Sequence, residues 1–531
     1  MSADSVLRFD VFELDQAAGE LRKRGRRVKL APQPFRLLSL LASSPGQVIT
    51  REAIRQRLWE GTFVDFEHGL NFCVREVRKA LHDDADRPRF VETLPKRGYR
   101  FIAAVSGDDS GVDSSKPHAD VPGKSAPVRI SQLAATELYS QGRQLFQRME
   151  IGALDEAKRY FEEAVRIEPQ YAMAHSGLGA AYAMGSIHHF CSQDLNLAKS
   201  HLESAIDLDA ELAEPYPWLC YVYIKAGDLG RAIDVGRRGV ELLPDLVHAH
   251  YFLGLAYFVS CERGADNYQN AINHLVGAAE IEPRYPATWF VLASVCLLNG
   301  QYESAEKCSR LLLKYGTASG SPRFLGAENL LGTLYLRRYS LQRAQEFFHR
   351  SLEALSASDH AYARAMQAWS ACGLGDVDLR LGHADFALAH YRKAWQIVQE
   401  SPTIAGQERH CARALAGLAA GYAAAGRQDQ AVKLLSRAES VLQHCLAPQA
   451  SAAGANLADL HYAFGVAQLR AGNPDKAIDQ VERALKAGWR DAEWLQRDDE
   501  WIELRNSRAF ASLVEQICYQ PSFDINLASV C

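Results

Sequence analysis

Apolar residues recur at helical spacing between Glu67 and His82: Leu70, Val74, Val77 and Leu81 follow one another at intervals of 4, 3 and 4. That period predicts an α-helix with one buried stripe. The opposite face carries His68, Phe72, Arg75, Glu76 and Lys79, with Asn71 and Arg78 on one flank. The run Asp83-Asp84-Ala85-Asp86-Arg87-Pro88 is expected to stop the helix, because proline fixes φ and removes a donor. Downstream the period drops to two. Phe90–Leu94 and Tyr99–Ala103 alternate as strands around Pro95-Lys96-Arg97-Gly98, which makes a terminal hairpin with a basic tip.

Upstream, Arg8–Asp15 alternates apolar and polar positions and predicts one short, half-buried strand through Phe9, Val11-Phe12 and Leu14. Glu20-Leu21-Arg22 and Arg27-Val28-Lys29-Leu30 flank a tight turn at Arg24-Gly25 and add to a small antiparallel sheet. Pro34–Ser43 reads as a first helix, with Phe35, Leu37, Leu38, Leu40 and Leu41 as its apolar face and Ser44-Pro45-Gly46 as its end. Thr50 is placed as the N-cap of a second helix whose Ile54, Leu58 and Trp59 face the core.

Leu37-Leu38 through Leu41, then Pro45-Gly46, Val48-Ile49-Thr50-Arg51-Glu52, Leu58-Trp59, Val74 through Leu81, and Gly98-Tyr99-Arg100-Phe101 form an ordered set. It resembles the OmpR/PhoB-type winged-helix DNA-binding domain over residues 7–104. The resemblance implies that the third helix lies in the major groove and the hairpin tip reaches the adjacent minor groove. It places Asn71, Arg75 and Glu76 at base edges, His68, Arg78 and Lys79 near phosphates, and Lys96 and Arg97 at the wing tip. The chemistry agrees for most of these. Arginine forks onto guanine and asparagine onto adenine, lysine serves phosphate as a point charge, and an arginine suits a narrow minor groove. Two departures leave the operator sequence open: Glu76 stands where many relatives carry a base, and Pro95-Lys96 where many carry Arg-Gly. By the same resemblance the Glu60–Phe66 loop would meet RNA polymerase.

From about Ser131 the chain repeats. Alanines at 157, 198, 232, 271, 305, 344, 387, 431 and 477 are spaced 41, 34, 39, 34, 39, 43, 44 and 46 residues apart. A glycine stands five residues earlier in six cases, at 152, 227, 300, 382, 426 and 472, as expected of a helix end before a second helix. Pro169, Pro244 and Pro283 close repeats. The unit resembles the tetratricopeptide repeat (TPR), whose period is about 34 residues. Such pairs stack into a superhelix with a concave groove for a peptide, a protein or a second copy of the chain. Trp501, Leu504, Phe510 and Leu513 are expected to cap the last repeat. The fold class is therefore mainly α: an N-terminal β-β-α-α-α-β-β head at 1–105, a linker at 106–130, an all-α solenoid at 131–518 and a frayed tail at 519–531.

Charge sharpens this division. Residues 1–105 hold 19 of the 59 Lys+Arg and 14 of the 64 Asp+Glu, a balance of +5, against −10 for the rest. Only the head is expected to meet a polyanion. No apolar run approaches the roughly 18–20 residues a membrane span needs. The first 20 residues carry no hydrophobic block, and the eleven cysteines form no Cys-x-x-Cys pair, so a cytoplasmic protein with reduced thiols is expected. The head starts near residue 7, so a phosphate-accepting receiver ahead of it is not expected. Gly123-Lys124-Ser125 lacks the first glycine of a phosphate loop, and His188-His189 and His248-x-His250 lack ligand partners. Neither a catalytic constellation, a metal nor a cofactor is expected. The fused arrangement resembles TPR-containing bacterial transcription regulators. It implies operator binding by the head, as a dimer or in tandem, and a protein, peptide or ligand partner for the body. The alternative is a TPR scaffold whose winged helix has lost DNA.

Overall fold

The computed structural model describes residues 6–16, 19–28, 30, 32–58, 66–84, 88–94, 97–103, 105, 130–147, 151–189, 192–261, 267–316, 325–356, 358, 362–401, 407–445 and 456–518. Trp59, the 60–65 part of the RNA polymerase loop, Lys96, most of the linker and the tail lie outside these residues, as do the side chains of His68 and Asn71.

In the head, β1 (Val6–Phe9), β2 (Phe12–Asp15), β3 (Glu20–Lys23) and β4 (Arg26–Val28) form an antiparallel sheet in chain order. The single strand expected at Arg8–Asp15 is instead a hairpin, with Phe9 paired to Phe12 and Leu7 to Leu14. Asp10, at φ +49°, turns the chain there. A signal was present: the buried positions switch from odd, at Phe9, to even, at Phe12 and Leu14, and a straight strand cannot do that. Next come α1 (Pro32–Ala42), β5 (Val48–Thr50), α2 (Arg51–Leu58), α3 (Phe66–Leu81), β6 (Val91–Leu94) and β7 (Gly98–Phe101). The Thr50 hydroxyl accepts from Ala53 N at 3.1 Å and caps α2. β5 is an element the alternation did not announce, being three residues long. It pairs with β7, which pairs with β6, so the wing is tied back to the start of α2. Phe9, Phe12, Phe90 and Phe101 meet ring to ring at 5.0–6.5 Å and join the two sheets.

The body contains nine helix pairs among the described residues, from Ile130–Phe146 with Ile151–Ile167 to Leu457–Arg470 with Pro474–Lys486. All nine aligned alanines lie on second helices and are fully buried. Their role is close approach. A Cβ on Gly254 of the Val247–Cys261 helix would lie 3.2 Å from Ala271 O on its partner helix. Five of the six aligned glycines end a first helix with φ between +67° and +81°. Gly152 does not, since it lies in the first turn of Ile151–Ile167. In the pair Ala327–Arg337 and Leu341–Leu355, Tyr339 takes the left-handed place at φ +58°.

First and second helices differ in burial. Leu229–Leu242 buries one stripe, Ala232, Gly236, Gly239 and Leu242, whereas ten of the twelve residues of Pro215–Ala226 are buried. A helix apolar on all sides is covered on all sides. Part of the cover on the inner face comes from the chain's own C-terminal segment. Trp501 packs on Tyr462 of the last pair, as expected of a cap, with ring centroids 5.9 Å apart. Residues 487–499 also run across helices far back in the sequence. Tyr268 donates to Ala487 O at 3.4 Å, Arg490 N to Leu298 O at 2.7 Å, and Tyr302 to Asp491 at 2.8 Å. The buried Arg337 guanidinium pairs with Asp491 and Asp459, Arg380 with Asp498 at 2.5 Å, and Tyr339 donates to Asp499 at 2.8 Å. The C-terminal segment therefore closes the superhelix back onto its fourth to seventh pairs, and the groove is partly filled from within.

Buried histidines make the body acid-sensitive. His248, His274 and His410 are each held at about 4, first by burial, with His250 and Arg237 adding to the effect at His274 and Arg409 at His410. Unfolded, they take protons near 6.5. The unfolded chain thus binds more protons between those values, so this stability is present above about pH 6.5 and is lost as pH falls toward 4. The urea midpoint of the body is expected to fall steadily from pH 7 to pH 5. An unchanged midpoint would contradict the buried, neutral state of these rings.

Candidate nucleic-acid interface

The recognition surface is built on α3. Leu70, Cys73, Val74, Val77 and Leu81 are each at most 3% exposed and join the head's core with Leu37, Leu38 and Leu41 of α1. This stripe fixes the rotation of the helix, and the period-3.6 reading of its face holds. Arg75 and Lys79 project outward, exposed, and Glu76 is half-buried. Lys79 Nζ lies 3.9 Å from Glu76, a long, solvent-washed pair that leaves the ammonium available to a stronger anion.

Arg78 differs from its neighbours. Its Nη2 donates to Val91 O at 2.9 Å and to Thr93 Oγ1 at 2.8 Å, and its Nε is buried. The side chain expected near a phosphate is here bonded to the wing. The flank on which it lies is the side on which β6 packs, a contact that helical periodicity cannot register.

Asp83 completes the same joint. The helix stops at Leu81, before the proline that was expected to end it. His82 takes φ +53°, and Asp83 N donates back to Arg78 O at 2.8 Å, the closing turn of a left-handed cap. The Asp83 carboxylate then accepts from the backbone N of Arg89 at 2.6 Å, of Phe90 at 3.2 Å and of Val91 at 2.8 Å. Helix and wing are thereby held as one rigid unit. Sequence reasoning treated Asp83 only as part of a break. Its position just after an amphipathic helix and just before a strand was the available sign.

On the wing, Arg100 pairs with Glu92 across β7 and β6 at 2.5 Å. Arg51 Nη2 donates to Tyr99 Oη at 3.1 Å, and its guanidinium lies 5.3 Å from the Tyr99 ring centroid. Tyr99 is 2% exposed, a core residue. Arg97 stands exposed at the tip, its N bonded to Leu94 O at 3.0 Å. The structure thus brings Arg75, Glu76 and Lys79 onto one face of α3 and holds the Arg97 tip on a wing locked to that helix. Among the described residues no group of three or more His, Cys, Asp or Glu is placed to hold a metal ion, and no helix is long and apolar enough to cross a membrane.

Residues 25–101 match the family described as transcriptional regulatory protein, C terminal, and residues 148–171 match the tetratricopeptide repeat. The chain is 35% identical over 101 residues to the cholera toxin homolog transcriptional activator of Vibrio parahaemolyticus, covering 18% of this chain and 34% of that protein. It is 31% identical over 99 residues to the KDP operon transcriptional regulatory protein KdpE of Escherichia coli, covering 19% and 44%. Among solved structures, the RstA DNA-binding domain of Klebsiella pneumoniae in complex with the RstA box is 26% identical, covering 18% of this chain and 96% of that one with a TM-score of 0.17. The chain therefore spans less than half the length of these curated relatives. With the strand order, the locked wing and the nine stacked helix pairs, the family matches over residues 25–101 and 148–171 identify the head as an OmpR/PhoB-type winged-helix domain carried on a tetratricopeptide-repeat body.

Proposed function

We propose that this chain is a cytoplasmic, sequence-specific DNA-binding regulator of transcription, and not an enzyme. Its head (1–105) binds operator DNA, and its repeat body (131–518), beyond the 106–130 linker, takes the regulatory signal from a protein, peptide or ligand. The observation that carries this reading is the rotation of α3. Its stripe is buried to within a few per cent while Arg75 and Lys79 face out, on a helix clamped to the wing by Asp83 and Arg78. In this reading α3 enters the major groove, with Asn71, Arg75 and Glu76 at base edges and His68 and Lys79 on phosphates. Arg97 and Lys96 reach the minor groove, and Arg78 positions the wing rather than touching DNA. A half-site about one helical turn from the next would seat a second copy, and the 60–66 loop would meet RNA polymerase.

Capture of genomic DNA by the intact chain yields the site. Filter binding to it then tests the residues. Arg75→Ala is expected to cost about 1–3 kcal/mol and to relax specificity at one base pair, whereas Lys79→Ala weakens all sequences alike and lowers the salt slope by about one. Arg78→Ala is expected to act through the wing, lowering head stability together with affinity. If Arg75→Ala and Lys79→Ala both leave binding and its salt slope unchanged, the head is a docking module and not a DNA reader.

A further inference from the structure

The inner helices of the body and the crossing C-terminal segment border a cavity of about 650 Å³. Small-molecule sites measure roughly 300–1,000 Å³. The wall is mostly apolar, and Trp218, Tyr251, Phe252, Tyr285 and Trp369 contribute rings to it. Trp218 and Phe252 lie 5.3 Å apart, and Tyr251 meets Tyr285 edge-on at 5.3 Å. Such walls favour a flat, π-bearing guest.

Most charges on the wall are already neutralised. Arg337 is paired with Asp459 and Asp491, Arg380 with Asp498, and Arg413 with Asp376. Of the two remaining wall cations, Arg284 is exposed to solvent, which leaves Lys225 as the half-buried exception. No carboxylate pairs with it among the described residues, and its ammonium lies over the Tyr221 ring at 6.0 Å. Burial, then the charge of Arg409, lowers its pKa to about 8, which still leaves it a cation at neutral pH. His410, 5% exposed, also lines the cavity, and its Nε2 has no hydrogen-bond partner. Burial and the same Arg409 charge hold it at about 4, so it is an uncharged ring at neutral pH. A cation without a counter-ion and a ring nitrogen without a partner are both costly in an apolar hollow, and an incoming anion relieves both.

We infer that this cavity binds a small aromatic monocarboxylate, its ring between the tryptophan and tyrosine walls, its carboxylate paired with Lys225 Nζ and accepting from His410 Nε2. The ligand class follows from charge and shape. One half-buried cation without a counter-ion calls for one anion, and the ring-lined wall calls for an aromatic body. Trp494 of the crossing segment bounds the hollow together with the first helices around it. The inference deepens the reading of the body as the signal-taking half, and rests on that reading only for any effect on DNA.

The test uses the full chain, with naphthoate as probe and its neutral amide, naphthamide, in parallel, read by tryptophan emission. The wild type is expected to bind naphthoate saturably, at one site, and about tenfold more tightly than the amide, as a charge-assisted contact in a poorly solvated site provides. Lys225→Met keeps the aliphatic stem and loses the charge, so naphthoate affinity should drop to that of the amide, whereas Lys225→Arg keeps the preference. Equal binding of acid and amide by the wild type, the absence of saturable naphthoate binding, or an intact preference in a folded Lys225→Met chain overturns the proposal. The wild-type comparison decides the matter even where a variant fails to fold, which circular dichroism melting detects. Arg75→Ala separates the two readings: it should lose DNA and keep naphthoate, so a failure at the head leaves the cavity result standing, and the reverse.

Discussion

Replacing Asp498 by alanine should remove about 3–5 kcal/mol from the body, the usual penalty for stripping one partner from a buried ion pair. Asp498 is fully buried. It accepts from Arg380 Nε at 3.0 Å and Nη2 at 2.5 Å, from Tyr462 Oη at 2.6 Å and from Glu500 N at 3.3 Å. Arg380, whose side chain is 5% exposed, would be left charged over the Trp494 ring without its paired carboxylate, keeping only the more distant charges of Glu500 and Asp376. The pair joins a first helix of the seventh repeat to the C-terminal segment, 118 residues away, so its loss should loosen the closure of the superhelix. Glu493→Ala, which breaks only the exposed pair with Arg497, should change stability by no more than about 0.5 kcal/mol. Substituting both partners with apolar residues, Arg380→Met with Asp498→Leu, should restore much of the loss, because the expense lies in the orphaned charge and not in the missing attraction. Urea unfolding of the full chain, followed by tryptophan emission, measures all three. A loss below about 1 kcal/mol for Asp498→Ala would mean that the C-terminal segment does not hold the ring shut.

Gly98→Ala should disable the wing, at a cost of about 3 kcal/mol or more. Gly98 has φ +154° and pairs with both Thr50 and Leu94. An added Cβ would lie 2.1 Å from Ile49 O and 2.8 Å from Thr50 Cα. Both are backbone atoms of β5, which cannot swing aside as a side chain does. β5 must therefore separate from β7, and with it go the Arg51–Tyr99 contact and the placement of Arg97. Gly46→Ala provides the contrast. It also sits at positive φ, +76°, but its Cβ would meet nothing within 4 Å, so only the left-handed strain of about 1–2 kcal/mol applies. Thermal unfolding of the head and DNA affinity should fall together for Gly98→Ala and far less for Gly46→Ala. Equal effects would show that the strand pairing relaxes around the new methyl.

Local rules carried much of this protein. The 4-3-4 spacing of Leu70, Val74, Val77 and Leu81 located the recognition helix within a residue at each end and named the face that turns outward. The nine alanines found every helix pair, because close approach of two helices demands a small residue wherever they cross. Thr50 was legible as a cap because a cap is a contact over three residues. Errors fell where a distant partner decides. Arg78 reads as a phosphate contact and Asp83 as a breaker, yet both bond to the wing. The hairpin at Asp10 was hidden by a parity switch that a strand template passes over. Gly152 matched the repeat spacing and still fell inside a helix.

Periodicity and capping act over a turn or two of chain, so composition and order alone were enough to specify a winged-helix head, a repeat body and the charged side of the helix between its sheets. Closure of the superhelix rests on pairs such as Tyr302 with Asp491 and Arg380 with Asp498, which are 189 and 118 residues apart. No local pattern encodes such a meeting, because it depends on how small rotations between successive helix pairs accumulate over several repeats. The cavity beside that closure, with Lys225 unpaired on its wall, has the same origin and emerges only once the chain has come round to meet itself.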